Sequence, residues 1–127
     1  MVIWHAQRKR AVGGRKYKKN RDKRKRELGR HAAHTKVSEK PKVKKIRTKG
    51  AGEKLRAFKS SMVNVLDPSS KKCKNVKISR VLENPSNRHF ARMGILTKGA
   101  IIETELGKAK VTSKPGQTGT IDAVLIK

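Results

Sequence analysis

The side chains in this chain that could do chemistry are guanidinium and ammonium groups, and they crowd its first 30 residues: Arg8, Lys9, Arg10, Arg15, Lys16, Lys18, Lys19, Arg21, Lys23, Arg24, Lys25, Arg26 and Arg30. Arginine offers a planar fork of donors that fits two phosphate oxygens at once, and lysine offers a mobile point charge. The chemistry they support is non-covalent: neutralising a polyanion needs only positive charge, reach and donor geometry. Gly13-Gly14 interrupts the run and lets backbone pass close to another surface. A second set, Lys44, Lys45, Arg47, Lys49, Lys54 and Arg56, brackets the Gly50-Ala51-Gly52 turn. Arg88 and Arg92 are spaced i, i+4 and would share a helix face, a spacing equally open to phosphate contact and to plain solvation.

The distribution of charge narrows the choice of partner. Residues 1–60 hold 23 of the 35 Lys and Arg and 4 of the 9 acids, so 19 of the 26 net positive charges lie there. Self-repulsion of this size opposes compaction, so a counter-charged partner is expected. Mixed arginine and lysine point to nucleic acid; the competing reading is a solvated charged tail. Were six to ten of these groups to meet phosphates, affinity would fall by roughly 10³–10⁵ between 50 and 200 mM salt.

Other chemistries find little footing. The acids of the second half, Asp67, Glu83, Glu103, Glu105 and Asp122, sit in no nucleophile or general-base motif, and no glycine-rich nucleotide loop occurs. Neither a cofactor nor a small-molecule substrate is expected. His31 and His34 are i, i+3 but lack a cysteine pair or carboxylate nearby, so no metal site is expected. The single cysteine, Cys73, cannot form an internal disulfide, which fits a reducing compartment. No apolar run approaches the ~18–20 residues of a membrane span. Between Arg15 and Arg30 only Tyr17 and Leu28 are large and apolar, too few for an interfacial helix.

Aromatics make up 3% of the chain: Trp4, Tyr17, Phe58 and Phe90. With Phe58 and Phe90 expected in the core, few remain for stacking on unpaired bases, which favours reading the backbone and shape of folded RNA. No helix-turn-helix, finger or basic-zipper pattern appears.

These side chains need a scaffold. Residues 1–34 lack both helical and strand periodicity and read as a basic extension that orders on binding; Lys23–Gly29 is expected to form a short helical turn. Residues 35–127 read as a β-barrel domain. Turn chemistry separates six β-rich runs, Val43–Thr48, Leu55–Val65, Lys74–Leu82, Ala100–Leu106, Ala109–Ser113 and Thr120–Ile126. The fold class is therefore mainly β: a small antiparallel barrel of about six strands, one short helix, and the irregular extension. A two-residue Gly107-Lys108 loop would place Leu106 opposite Ala109 and Glu105 opposite Lys110, an ion pair on the outer face. Asn84–Gly94 is the expected helix, capped by Ser86, ended by Gly94, with Phe90 and Met93 facing the core.

The assembled motifs resemble the family of the eighth small-subunit ribosomal protein of the archaeal and eukaryotic type. The resemblance is carried by Gly13-Gly14, Lys23-Arg24-Lys25-Arg26-Glu27-Leu28-Gly29-Arg30, His34-Thr35-Lys36-Val37 and Leu55-Arg56-Ala57-Phe58. Its strongest part runs from Val81-Leu82-Glu83-Asn84-Pro85-Ser86-Asn87-Arg88 through Leu96-Thr97-Lys98-Gly99 to Leu106-Gly107-Lys108-Ala109, and Lys114-Pro115-Gly116-Gln117 also fits. It implies a barrel with a basic N-terminal extension, bound to small-subunit ribosomal RNA beside neighbouring ribosomal proteins, in the cytoplasm, with no catalytic residue, cofactor, membrane or small-molecule substrate. The chain departs from the family pattern at Val12, where threonine is usual, and at Lys49-Gly50-Ala51-Gly52-Glu53, which replaces a more typical Arg-Gly-Gly-Asn. Two other readings compete: an RNA chaperone or ribosome-assembly factor, and a hydrolase using Glu103, Glu105 and a histidine.

Overall fold

From residue 62 onward, alternate residues along each strand are small or β-branched, and their side chains meet inside a closed barrel. The computed structural model of the chain describes residues 3–5, 10–18, 21–48 and 50–126, in two compact units, Met1–Ala32 and Ala33–Lys127.

In the first unit, β1 (Ile3–Trp4) pairs antiparallel with β2 (Leu28–Gly29). The turn expected over Lys23–Gly29 is a single 3-10 turn, Lys25–Glu27, after which the chain extends into β2. Gly29 lies close under the His5 ring, and a Cβ there would require that ring to shift. Residues 10–16 form a tight hairpin. The Gly14 N–H donates to the Ala11 carbonyl at 3.0 Å, Gly14 takes φ 80, and Val12 stands fully exposed at the tip.

The second unit contains a three-stranded sheet in the order β3 (Lys36–Val37), β5 (Glu53–Ser60), β4 (Lys42–Arg47), with β3–β5 parallel and β4–β5 antiparallel. It also contains the barrel, β10-β6-β7-β8-β9, built from β6 (Met62–Asp67), β7 (Lys72–Glu83), β8 (Ile101–Thr104), β9 (Gly107–Val111) and β10 (Asp122–Leu125). Five strands close it, and the first of the six expected runs pairs outside, in the smaller sheet. The run expected as one strand, Leu55–Val65, divides at Ser60-Ser61. There the Ser60 carbonyl accepts from Ser38 N–H while the Ser61 carbonyl accepts from Ile78 N–H, so neighbouring residues serve different sheets. Closure is parallel, β10 against β6, and the outward Asn64 side chain donates to Asp122 at 2.9 Å across the seam.

The barrel is lined by Val63, Val65, Val76, Ile78, Val81, Ile102, Ala109, Val111 and Ala123. Alanine on β9 and β10 keeps the closing strands close, as a narrow barrel demands. Alternation along β7 skips a beat between Ile78 and Val81, where register shifts flank Arg80 and return the next apolar side chain to the interior.

The β8–β9 hairpin differs from expectation. Its loop is Glu105-Leu106, with Thr104 opposite Gly107 and Ile102 opposite Ala109. Gly107 follows the turn at φ 120 and restores the strand twist, and the Thr104 hydroxyl donates to the Gly107 carbonyl at 2.8 Å. The apolar face survives the shift, because moving the register by an even number keeps each side chain on its side. Leu106 is left to solvent, and the Glu105–Lys110 pair does not form; Glu103 instead pairs with Arg80 at 2.6 Å.

Two helices are short. α1 (Arg88–Arg92) is capped by Asn87, whose side chain accepts from His89 N–H at 2.9 Å, and not by Ser86. Gly94 follows it at φ 64. Phe90 is half-buried with its ring edge-on to His34, and Met93 is 52% exposed; five residues make too little helix to turn both side chains inward. α2 (Pro115–Thr118) ends at Gly119, φ 82, which lies against Leu55 of β5.

Candidate nucleic-acid interface

Of the first basic set, Arg8, Lys9 and Lys19 lie outside the described residues, as does Lys49 of the second. In the first unit Arg10, Arg15, Lys16, Lys18, Arg21, Lys23, Arg24, Lys25, Arg26 and Arg30 are all exposed. Gly13 and Gly14 are exposed at the hairpin tip, with no heavy atom within 4 Å of a Cβ built on either, so backbone there is open to close approach. The hairpin sets Arg10 opposite Lys16, and the Arg10 guanidinium donates to the Gly14 carbonyl at 3.3 Å. Lys23 and Arg21 also have local partners. The Lys23 ammonium lies 5.4 Å from the Trp4 ring centroid, a cation–π contact, and Arg21 donates to the carboxylate of Glu27. The Arg21 hydrogen bond, then the Arg24 backbone N–H, hold the Glu27 carboxyl below the usual carboxylate range.

In the second unit the register divides the second basic set between two faces of one ribbon. Lys44 stands opposite Arg56, and Lys54 and Phe58 share that face. Lys45 and Arg47 are on the other face with Leu55 and Ala57, and Lys45 pairs with Glu53 at 2.6 Å. The Lys44 ammonium sits 5.7 Å from the Phe58 ring centroid, and Lys54 donates to Gln117 at 3.2 Å. Arg56 is half-buried, and its Nε is shut off from solvent without a hydrogen-bond acceptor. On α1, Arg88 and Arg92 are both exposed, as their spacing predicts.

Sequence reasoning missed the basic residues of the β6–β7 hairpin, Lys71, Lys72, Lys74 and Lys77, because turn and neutral residues dilute them. Counting charge per strand pair would have found them.

The motif Asn84-Pro85-Ser86-Asn87 serves the fold. Asn84 is buried and accepts from Ser86 N–H and the Thr97 hydroxyl, while Asn87 caps α1. Thr35, likewise buried, donates to the Ala57 carbonyl at 2.7 Å and accepts from Leu96 N–H through its own carbonyl. Glu103, proposed to hydrolytic chemistry by one reading, is engaged by Arg80, and Glu105 is in a turn. Among the described residues no group of three or more His, Cys, Asp or Glu is placed to hold a metal, and no helix is long and apolar enough to cross a membrane.

A closed five-stranded β-barrel joined in sequence to a strongly cationic arm defines a class of small, basic β proteins. Comparison with known families then places the chain: it belongs to the ribosomal protein S8e family, whose model matches residues 4–126. It is a ribosomal protein and not an enzyme. It is 47% identical over 126 residues to the small ribosomal subunit protein eS8 of Methanococcus aeolicus, covering 99% of this chain and 98% of the relative. It is 55% identical over 118 residues to the protein of that name from Nanoarchaeum equitans (93% and 92% covered), and 55% identical over 116 residues to that of Sulfolobus acidocaldarius (91% and 90%).

Proposed function

We propose that this chain is a structural constituent of the small ribosomal subunit, binding ribosomal RNA through phosphate-directed lysine and arginine contacts and stabilising the RNA fold in support of translation. The observation that carries this reading is the exposure of every described cation of the first set, in a segment that holds two acids, Asp22 and Glu27. Relatives of nearly equal length bear small-subunit names, which supports the location. Residues 1–34 act as the RNA-binding extension and order on contact, and residues 35–127 act as the barrel domain, adding Lys44, Lys54, Arg56, Arg88 and Arg92. The partners are small-subunit ribosomal RNA and neighbouring ribosomal proteins, in the cytoplasm, with no cofactor.

The test is titration of the full chain against a small-subunit ribosomal RNA transcript between 50 and 200 mM salt. Affinity is expected to fall by roughly 10³–10⁵ if six to ten phosphates are contacted. Salt-insensitive binding, or none, overturns the reading. Deuterium exchange adds a second check: strong protection of Arg15–Arg26 in the free protein contradicts ordering on contact.

A further inference from the structure

We infer that the β6–β7 hairpin is a second RNA contact, separate from the extension, made by Lys71, Lys72, Lys74 and Lys77; the inference rests on the reading of the chain as an RNA-binding protein. The two strands pair from Met62 opposite Lys77 to Asp67 opposite Lys72, so the four lysines occupy the last loop residue and the first half-dozen positions of β7. All four are exposed. The acid at the turn, Asp67, has both carboxylate oxygens engaged by the loop, accepting from Ser69 N–H at 2.9 Å and from the Ser70 hydroxyl at 2.8 Å. The hairpin therefore carries four lysines against one carboxylate, Asp67, which stands opposite Lys72 in the register, and keeps a net positive charge.

The backbone adds an independent argument. Lys71 sits at φ 53, in the left-handed region that favours glycine or asparagine. Its side chain is exposed, so burial of the lysine does not offset that strain. A contact for the ammonium would offset the strain.

Geometry selects the partner. Lys72 and Lys74 continue the row that becomes Val76 and Ile78 inside the barrel, while Lys77 lies on the opposite row with Cys73 and Asn75. Residues on one row are about 6.5–7 Å apart along the strand. An acidic peptide laid on one sheet face would meet one row; a folded RNA that wraps the end of the hairpin with backbone meets both. The hairpin has no aromatic side chain, and lysine tolerates varied approach, so the contacts are to phosphate and not to stacked bases.

The test compares three full-length proteins on the same ribosomal RNA transcript: the parent, a variant with Lys71, Lys72, Lys74 and Lys77 all changed to Gln, and a variant with Lys23, Arg24, Lys25 and Arg26 all changed to Gln. The hairpin variant is expected to bind ~10-fold or more weakly at 100 mM salt, with a salt slope shallower by about 0.7–0.9 for each phosphate it no longer neutralises. Hydroxyl-radical footprinting is expected to show the hairpin variant exposing RNA positions that the extension variant still protects. Lys71→Gly alone should keep or raise the Tm while weakening binding, which separates RNA contact from folding. The inference is overturned if the extension variant weakens binding but the hairpin variant matches the parent in affinity and slope. It is also overturned if the hairpin variant binds RNA normally yet fails to join reconstituted subunits, which would make the partner a protein. A parent that binds no RNA removes the proposed function as well.

Discussion

Asn84 and Ile95, eleven residues apart, are tied by a buried hydrogen bond in which the Asn84 side-chain amide donates to the Ile95 carbonyl at 3.0 Å. The same side chain accepts from Ser86 N–H at 3.1 Å and the Thr97 hydroxyl at 2.8 Å, so one residue holds both ends of the segment that carries α1. Asn84→Ala is expected to destabilise by about 2–4 kcal/mol, since it strands buried polar groups as well as removing their bonds. Urea unfolding measures it; a destabilisation below about 0.5 kcal/mol would mean that water replaces the side chain.

Gly119 and Gly107 separate steric clash from backbone strain. A Cβ at Gly119 would lie 2.6 Å from Leu55 Cβ, at φ 82, whereas at Gly107, φ 120, it meets open space. Gly119→Ala should cost about 2–4 kcal/mol and Gly107→Ala about 1–2 kcal/mol. Equal shifts in thermal unfolding would show that β5 moves aside freely.

The Glu27 carboxyl provides a pH signature within the cationic arm. Its folded pKa is depressed, chiefly by the Arg21 hydrogen bond, so its contribution is present above the ordinary carboxylate pKa and is lost as pH falls through the lowered value. In the RNA-bound protein, where the extension is ordered, NMR titration of the Glu27 side chain should give a midpoint below that of a free glutamate, and Arg21→Gln should raise it. An ordinary midpoint in the bound parent rules the interaction out.

Glu103→Gln is expected to change stability by no more than about 0.5–1 kcal/mol, because the Arg80–Glu103 pair leaves the two side chains 70% and 37% exposed. Glu105→Gln should be quieter still. Loss of RNA binding by Glu105→Gln with the fold intact would assign that turn a role the barrel does not suggest.

The strands at 74–82, 100–106, 109–113 and 120–126 were legible because alternation of apolar residues is local and repeats every two positions. Runs of lysine and arginine were legible for the same reason: charge density needs no fold to be counted. The Asn87 cap was missed because Ser86 is an equally good capping residue, and only the Asn84 hydrogen bonds decide which residue precedes the first turn. Gly107 signalled its turn correctly, but one glycine serves either as a loop residue or as the residue just after the loop, and the two choices place Leu106 and Glu105 differently. The β6–β7 lysines escaped because they become a group only once β7 pairs with β6.

By itself the sequence determined the sign and place of the charge, the small barrel, and which strand faces are apolar, since each follows from residue type at short spacing. Tertiary structure alone decided that β10 closes on β6 in parallel, that the chain changes sheets at Ser60-Ser61, and that Lys44 and Arg56 share a face while Lys45 and Arg47 take the other. Those outcomes depend on which distant strands exchange backbone hydrogen bonds and in what register, and side-chain packing across the whole barrel sets that choice.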